Sequence, residues 1–353
     1  MTMEPPRVFP WRVRRLGIVM EPTPGDPQEA GGVLNPATAR GPDGQLYLLP
    51  RLATVQNYSR IGLARVVFNR RGNPVGVERL GVVLEPQASY ERNTQTGGGV
   101  EDPRVTHIAA RGLYVMTYTA YGPAGARLAA ALSRDLVRWR RLGLVRFAPL
   151  LGLDLAALDN KDGALFPEPM PAPDGRLALA LIHRPTFPSP PRPVPECRPS
   201  MWISFAPLDE ITARRHVVFG QHHLLAAPQQ GWEDIKVGAG PPPLRLGDGW
   251  LVFYHGVSGR LGQGARHLCY RAGALWLDGR EPWRVLYRSE RSILAPRVPA
   301  EQSGVTPHVV FPTGWDVRSA TTIDLYYGMA DSRIGVARTY LPQLLTSPWG
   351  QAA

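Results

Sequence analysis

Lysine is nearly missing from this chain of 353 residues. Of its 40 basic residues only Lys161 and Lys236 are lysine, and the rest are arginine. Against that bias, a retained lysine marks a place where a compact ammonium serves better than a planar guanidinium. Cysteine is as scarce: Cys197 and Cys269 make neither a disulfide framework nor a zinc site. No apolar run approaches the roughly 20 residues that cross a bilayer. Arg12, Arg14 and Arg15 lie near the start, but no apolar stretch with a small-residue cleavage site follows them, so no secretory signal is expected. A soluble, cytoplasmic protein is the expectation. The net charge of +11 raises nucleic acid as a partner. The basic residues are scattered, however, and no helix-turn-helix, zinc-finger or RNA-recognition signature occurs. An arginine-rich surface with one anion site accounts for the charge, and neither nucleic acid nor membrane is expected as a partner.

Glycine and proline, at 37 each, are abundant, and helix-period patterning is almost absent, which together indicate short strands joined by many turns. One pattern recurs five times. A polar or acidic turn, often with proline, precedes a strand dense in Leu, Val, Tyr and Phe. The turns are Asn35-Pro36-Ala37-Thr38, Glu101-Asp102-Pro103-Arg104, Lys161-Asp162-Gly163, Gly238 to Pro243, and Phe311-Pro312-Thr313-Gly314. The strands are 45–49, 113–118, 177–182, 250–254 and 323–327, with partners expected over 59–66, 127–133, 201–205, 268–277 and 333–337. Units start at roughly 60- to 80-residue intervals, enough for a four-stranded antiparallel blade with long loops. The expected fold is all-β, a five-bladed β-propeller over residues 31–340. It is flanked by an extended arm (1–30) and a tail (341–353), with a Pro-rich rim loop from Pro185 to Pro199. A large β-sandwich would satisfy the turn spacing alone, but not the fivefold pattern. A propeller would also bring all five motif turns to one central pocket.

The second motif is preceded by Gly97-Gly98-Gly99. Three glycines offer open backbone to a close-approaching ligand, and the carboxylates of Glu101 and Asp102 follow at a loop-to-strand junction. The turns and their strands supply further candidates. Carboxylates come from Asp162 and Asp331, and cations from Arg51, Arg60, Arg104, Lys161, Arg184 and Lys236. Imidazoles come from His183 and His255, and phenols from Tyr254, Tyr270 and Tyr327. There is no Gly-x-Ser-x-Gly elbow, no His-Glu-x-x-His and no Walker loop. Many cations with few acids describe a pocket for an anion beside a polyhydroxylated ligand. An inverting glycosidase needs a second carboxylate as base, about 6.5–9.5 Å from the acid. A phosphorylase does not, because phosphate is itself the nucleophile and cations align it.

These residues resemble glycoside hydrolase family 130, the five-bladed propeller enzymes that are mostly inverting β-mannoside phosphorylases. The carriers are Glu101 to Arg104, Asn160 to Glu168, His183-Arg184-Pro185, Lys236 to Pro243, Tyr254-His255-Gly256-Val257, Tyr270 to Ala274, and Val309 to Gly314. They span nearly the whole chain, from Asn35-Pro36-Ala37 to Asp331-Ser332-Arg333-Ile334-Gly335. The resemblance implies Asp102 as general acid, passing its proton through a hydroxyl of the bound mannose. It places Asn35, Arg51, Lys236 and Asp331 around the mannosyl unit in the −1 subsite, and Lys161, Arg184, His255 and Tyr270 on phosphate. Arg60 and Arg104 count as further substrate-binding candidates. No metal or organic cofactor is implied; inorganic phosphate is the co-substrate, a β-mannoside the substrate, and a homo-oligomer is possible. The chain departs from the family pattern at Pro50-Arg51-Leu52, at His308 and along Asn57 to Gly62. The competing readings are an inverting β-mannoside hydrolase, with Asp162 the nearest candidate base, and a non-catalytic carbohydrate-binding propeller.

Overall fold

The five recurrences become five antiparallel runs of four main strands each, and no helix longer than four residues is recorded among the described residues. The computed structural model describes residues 11–93, 97–150, 152–188, 196–210, 217–229, 231–260 and 267–342. The first ten residues of the expected arm, residues 343–353 of the tail and 189–195 of the rim loop lie outside them. The first unit comprises Gly32–Arg40, Leu46–Ala53, Tyr58–Phe68 and Pro74–Leu84. The second comprises Gly98–Ile108, Leu113–Gly122, Gly125–Ser133 and Arg140–Leu144. The third is built on Asn160–Leu165, Leu177–Pro185, Met201–Pro207 and Val218–Ala226, with Arg146–Phe147 parallel to its outer edge. The fourth is built on Lys236–Ala239, Gly249–Gly259, Leu268–Asp278 and Val285–Arg288. Val310–Ser319, Thr322–Met329 and Arg333–Tyr340 begin the fifth, which Arg12–Met20 completes by pairing with Arg333–Tyr340. Over that stretch the expected arm is therefore a strand of the last sheet. Among the described residues no helix is long and apolar enough to cross a membrane.

Burial grades from the inside of each unit outward. Gly249–Gly259 is covered on both faces along most of its length, so its sequence reads as a continuous apolar run rather than an alternation. Arg140–Leu144, an outer strand, alternates exposed and half-buried. The apolar core lies between units. Separate clusters join the first to the second, the second to the third, the third to the fourth, the fourth to the fifth, and the fifth back to the first. Hydroxyls tie neighbouring units together. Thr38 Oγ1 donates to Trp315 O (2.6 Å), Thr313 Oγ1 to Pro36 O (3.0 Å) and Thr117 Oγ1 to Gly163 O (2.6 Å).

At one junction the sheet itself is continuous. The first and second units share a continuous sheet through a two-residue parallel bridge, Tyr58 with Gly98 and Ser59 with Gly99. Here the triple glycine serves the chain and not a ligand. A Cβ on Gly97 would strike Gln56 O, on Gly98 Tyr121 O, and on Gly99 Ser59 O, and all three glycines have φ between 80° and 128°. Open backbone lets two strands touch, which corrects the expectation of a ligand-facing loop.

Candidate active site

Four of the five motif "turns" lie at bulges within inner strands, while Gly238 to Pro243 runs off the end of its strand without one. In the first three units, three inner-strand steps oppose two on the neighbour: Leu34 to Ala37, Glu101 to Arg104, and Lys161 to Ala164. Just inside each bulge sits a residue with left-handed backbone, Asn35 (φ 45°), Asp102 (φ 47°) or Asp162 (φ 55°). Asn and Asp tolerate this region better than other side-chain-bearing residues. A bulge also re-aims the side chain it carries. Three polar side chains from three units are thus brought to one end of the inner strands. Asp331 (φ 50°) joins them from the turn between the second and third strands of the fifth unit.

Asp102 is held on both sides. Its Oδ1 accepts from Asn35 Nδ2 at 2.8 Å and from Arg51 Nη1 at 3.1 Å. Arg51 is buried and spreads four hydrogen bonds, to Ser59 Oγ (2.8 Å), Asn57 Oδ1 (2.7 Å), Glu101 Oε1 (2.9 Å) and Asp102. Burial by itself would raise the Asp102 pKa. The charges of Arg51 and Arg104, the Asn35 amide and the Lys161 ammonium outweigh it and hold the carboxyl below its usual range. Asp331 behaves oppositely. Burial raises it, the nearby carboxylates of Asp102 and Glu101 add to the rise, and it lies above its usual range.

Asp162 anchors the other half. Its Oδ1 accepts from Arg104 Nη2 at 3.1 Å and its Oδ2 from Arg184 Nε at 2.5 Å. His255 Nε2 stands 3.6 Å from the same Oδ2. Burial opposes ionisation of Asp162, but Arg184, His255 and Arg104 hold its pKa well below the usual range. Lys236 Nζ lies 5.0 Å from the Tyr270 ring centroid, and Lys161 Nζ lies 5.3 Å from that of Tyr121 and 4.0 Å from Glu101 Oε2. Burial and then the Arg184 charge lower Lys236 to about 8. Burial raises Tyr270 to about 12. Gly238 lies beneath this group, since a Cβ there would strike Asp162 Oδ2 and the His255 ring. The result is a cation-rich half beside a half dominated by carboxylates.

The model of glycoside hydrolase family 130, described as β-1,4-mannooligosaccharide phosphorylase, matches residues 12–347. The chain belongs to glycoside hydrolase family 130. A 1,2-β-oligomannan phosphorylase from Thermoanaerobacter sp. (strain X514) is 30% identical over 323 residues, covering 90% of this chain and 93% of that protein. Among solved structures, the β-1,2-mannobiose phosphorylase of Listeria innocua in complex with β-1,2-mannobiose superposes with a TM-score of 0.72 at 23% identity, over 94% of this chain and 98% of that one. A second structure comes from work describing family 130 hydrolases that target β-1,2 mannosidic linkages in Candida mannan. It superposes with a TM-score of 0.70 at 24% identity, over 97% and 96%.

Within this family 130 chain, Asn35, Arg51, Asp102, Lys161, Arg184, Lys236, His255, Tyr270 and Asp331 are drawn into one neighbourhood by hydrogen bonds, ring contacts and shared electrostatics. Arg104 has a different place. It is 1% exposed, and its donors go to Gly240 O, Ala239 O, Asp102 O and Asp162. It is a strut between units and has no face for substrate. Arg60 donates to Glu85 Oε2 at 3.1 Å, and no recorded bond ties it to the Asp102 or Asp162 groups. His255 is not a cation at neutral pH, because full burial takes its pKa down to about 3 despite Asp162. Asp162, expected as the nearest base, is occupied by two arginines and made weakly basic by them. His183 bonds Asn160 and Ser204, Tyr254 meets Arg288, and Tyr327 donates to Glu301. Those three are structural. Glu101, Asn57 and Ser59 were assigned no role from the sequence, although they bracket Arg51. The neighbouring carboxylate in Glu101-Asp102 and the departure at Asn57 to Gly62 were the available signals.

Proposed function

We propose that the five units are the blades of a five-bladed β-propeller, and that its central pocket carries out inverting phosphorolysis of a β-mannoside to α-mannose 1-phosphate. The observation that carries this reading is the division of charge. Lys161 and Arg184 converge with neutral His255 and Tyr270 donors, and Lys236, which the family resemblance assigns to the mannosyl unit, stands with them; the carboxylate among them, Asp162, is held by Arg104 and Arg184. A phosphate dianion needs several such donors when it leaves water. A hydrolytic water needs a basic carboxylate instead, and Asp162 is far too acidic to serve.

Asp102 faces the sugar side with Asn35 and Arg51. A phosphate oxygen attacks the anomeric carbon from the cation side, the bond to the leaving oxygen breaks, and that oxygen takes a proton originating on Asp102. The products are α-mannose 1-phosphate and the shortened saccharide. Asp102 is ionised without ligands; an incoming dianion and the exclusion of water both favour its protonated form. Retaining the bond energy in a charged sugar phosphate suits a cytoplasmic enzyme. Relatives whose names specify β-mannoside phosphorylases support the substrate class.

The test is incubation with β-1,2- and β-1,4-mannobiose, with and without phosphate, followed by phosphorus and anomeric proton NMR. Phosphate-dependent, reversible formation of α-mannose 1-phosphate is expected, falling on the order of 10²-fold or more in Asp102→Asn. Free mannose released equally without phosphate would reject phosphorolysis and turn attention to Asp331, the more basic carboxylate.

A further inference from the structure

The environment of Asp102 depends on a turn outside the motifs so far assigned. Thr54 to Tyr58 connects the second and third strands of the first unit, closed by Asn57 N to Thr54 O (2.8 Å) and Thr54 N to Tyr58 O (3.1 Å). Asn57 is exposed at its tip with left-handed backbone (φ 60°). Its backbone oxygen accepts from Gly98 N at 3.0 Å, so the turn is docked on the strand that carries Asp102. Its side-chain Oδ1 accepts from Arg51 Nη2 at 2.7 Å, and Ser59, next to the turn, accepts from Arg51 Nε at 2.8 Å. Glu101 Oε1 takes Nη2 as well. With Nε and Nη2 fixed, the planar guanidinium can present Nη1 to Asp102 in one direction. Asn57 opens the stretch, Asn57 to Gly62, where the sequence departs from the family pattern.

We infer that Asn57 is a positioning residue for the acid: it locks Arg51 so that Nη1 fixes the orientation of Asp102. This rests on Asp102 being the general acid of the reading above. Asn57 touches neither reacting atoms nor Asp102; it acts through Arg51. The charged and titratable groups facing Asp102 are Arg51 from the first unit, Glu101 and Arg104 on its own strand, Lys161 from the third unit, Tyr270 from the fourth and Asp331 from the fifth. Of these, Arg51 is the one whose orientation Asn57 controls. A loosened Arg51 stabilises the Asp102 carboxylate less, so the acid keeps its proton to higher pH.

Asn57→Gly removes the acceptor while keeping the left-handed backbone, and Asn57→Asp restores an oxygen acceptor. Thermal melts establish that each is folded, and kcat is then followed against pH at saturating phosphate. Asn57→Gly should lose on the order of 10- to 100-fold in kcat, since small misplacements cost about that much. Its alkaline limb should move to higher pH, the KM for phosphate should change little, and Asn57→Asp should recover most of kcat. Parent-like kcat and pH profile in Asn57→Gly would overturn the inference. So would a loss of kcat with an unmoved limb that Asn57→Asp does not rescue, which is what a merely structural turn would give. If Asn57→Gly does not fold, Ser59→Ala, which removes the Nε acceptor, is read in the same way. The parent is assayed alongside without phosphate. Phosphate-independent cleavage there would count against phosphorolysis, while the Asn57 comparison still reports on the acid.

Discussion

At the residue scale, the same chemical group has opposite uses according to where the backbone aims it. Arg51 and Arg104 are both buried arginines, yet one is aimed at the Asp102 carboxylate and the other is taken up by backbone carbonyls and Asp162. Sequence gives both the same charge, and only the path of the surrounding backbone separates them. His255 follows the same logic, since desolvation leaves it a neutral donor or acceptor where composition alone allowed a cation. Lys236 yields a testable number. With its pKa lowered to about 8 by burial and Arg184, it is charged below that pH and loses its charge as pH rises through it. An ordinary lysine would stay charged to about 10.4. Phosphate affinity should therefore weaken above pH 8, where phosphate itself no longer titrates. The expectation is a fall in kcat/KM for phosphate above pH 8, with kcat holding to higher pH because bound anion favours the ammonium. Lys236→Arg should flatten that limb even if it is slower. A flat profile from pH 7 to 10 in the parent would remove Lys236 from the anion site.

At the scale of the element, the bulged inner strand is the unit of construction, and it explains where sequence reading succeeded and failed. Asn35-Pro36, Asp102-Pro103 and Asp162-Gly163 carry the chemistry of turns, and they were read as turns. In the structure that chemistry is satisfied inside strands, because a bulge needs the same left-handed residue as a turn. The polar groups were therefore legible while their placement was not. The triple glycine carries a related ambiguity: absence of a side chain shows that something approaches, without showing what. The parallel bridge supplies the next prediction. Gly99→Ala places a Cβ against Ser59 O at φ 102°, at a cost of about 1–3 kcal/mol from backbone strain alone. Opening the bridge also draws Ser59 and the Asn57 turn from Arg51. A lowered Tm together with a kcat loss of about tenfold or more is expected. Gly112→Ala, also left-handed (φ 55°) but with nothing near its Cβ, should lose stability and keep kcat. Equal kcat in the two variants would disconnect the bridge from the acid.

For the whole molecule, the junction between the fifth and first units is the one that joins segments farthest apart in sequence. Asp324 is fully buried and takes Arg338 Nε and Nη2 at 2.7 and 2.8 Å, while Arg338 Nη1 reaches Asn73 of the first unit at 3.0 Å. Arg318 reaches Gly72 O in the same turn at 2.9 Å. Removing the carboxylate leaves Arg338 without its ion pair, and because that arginine is only half-buried the cost falls below the roughly 3–5 kcal/mol of a fully buried pair. Asp324→Asn should lower Tm by several degrees while leaving the phosphate KM of the remaining folded enzyme unchanged; a Tm within one degree of the parent would show the pair to be dispensable. The closing strand has a further consequence, in time. A ribosome releases Arg12–Met20 long before its partner Arg333–Tyr340, so an edge stays open between the two, for roughly tens of seconds at ordinary elongation rates. Translation cut short before Arg333 thus yields a chain with two unmated edges and no seam to seal them, a substrate for proteases and chaperones rather than a slower enzyme.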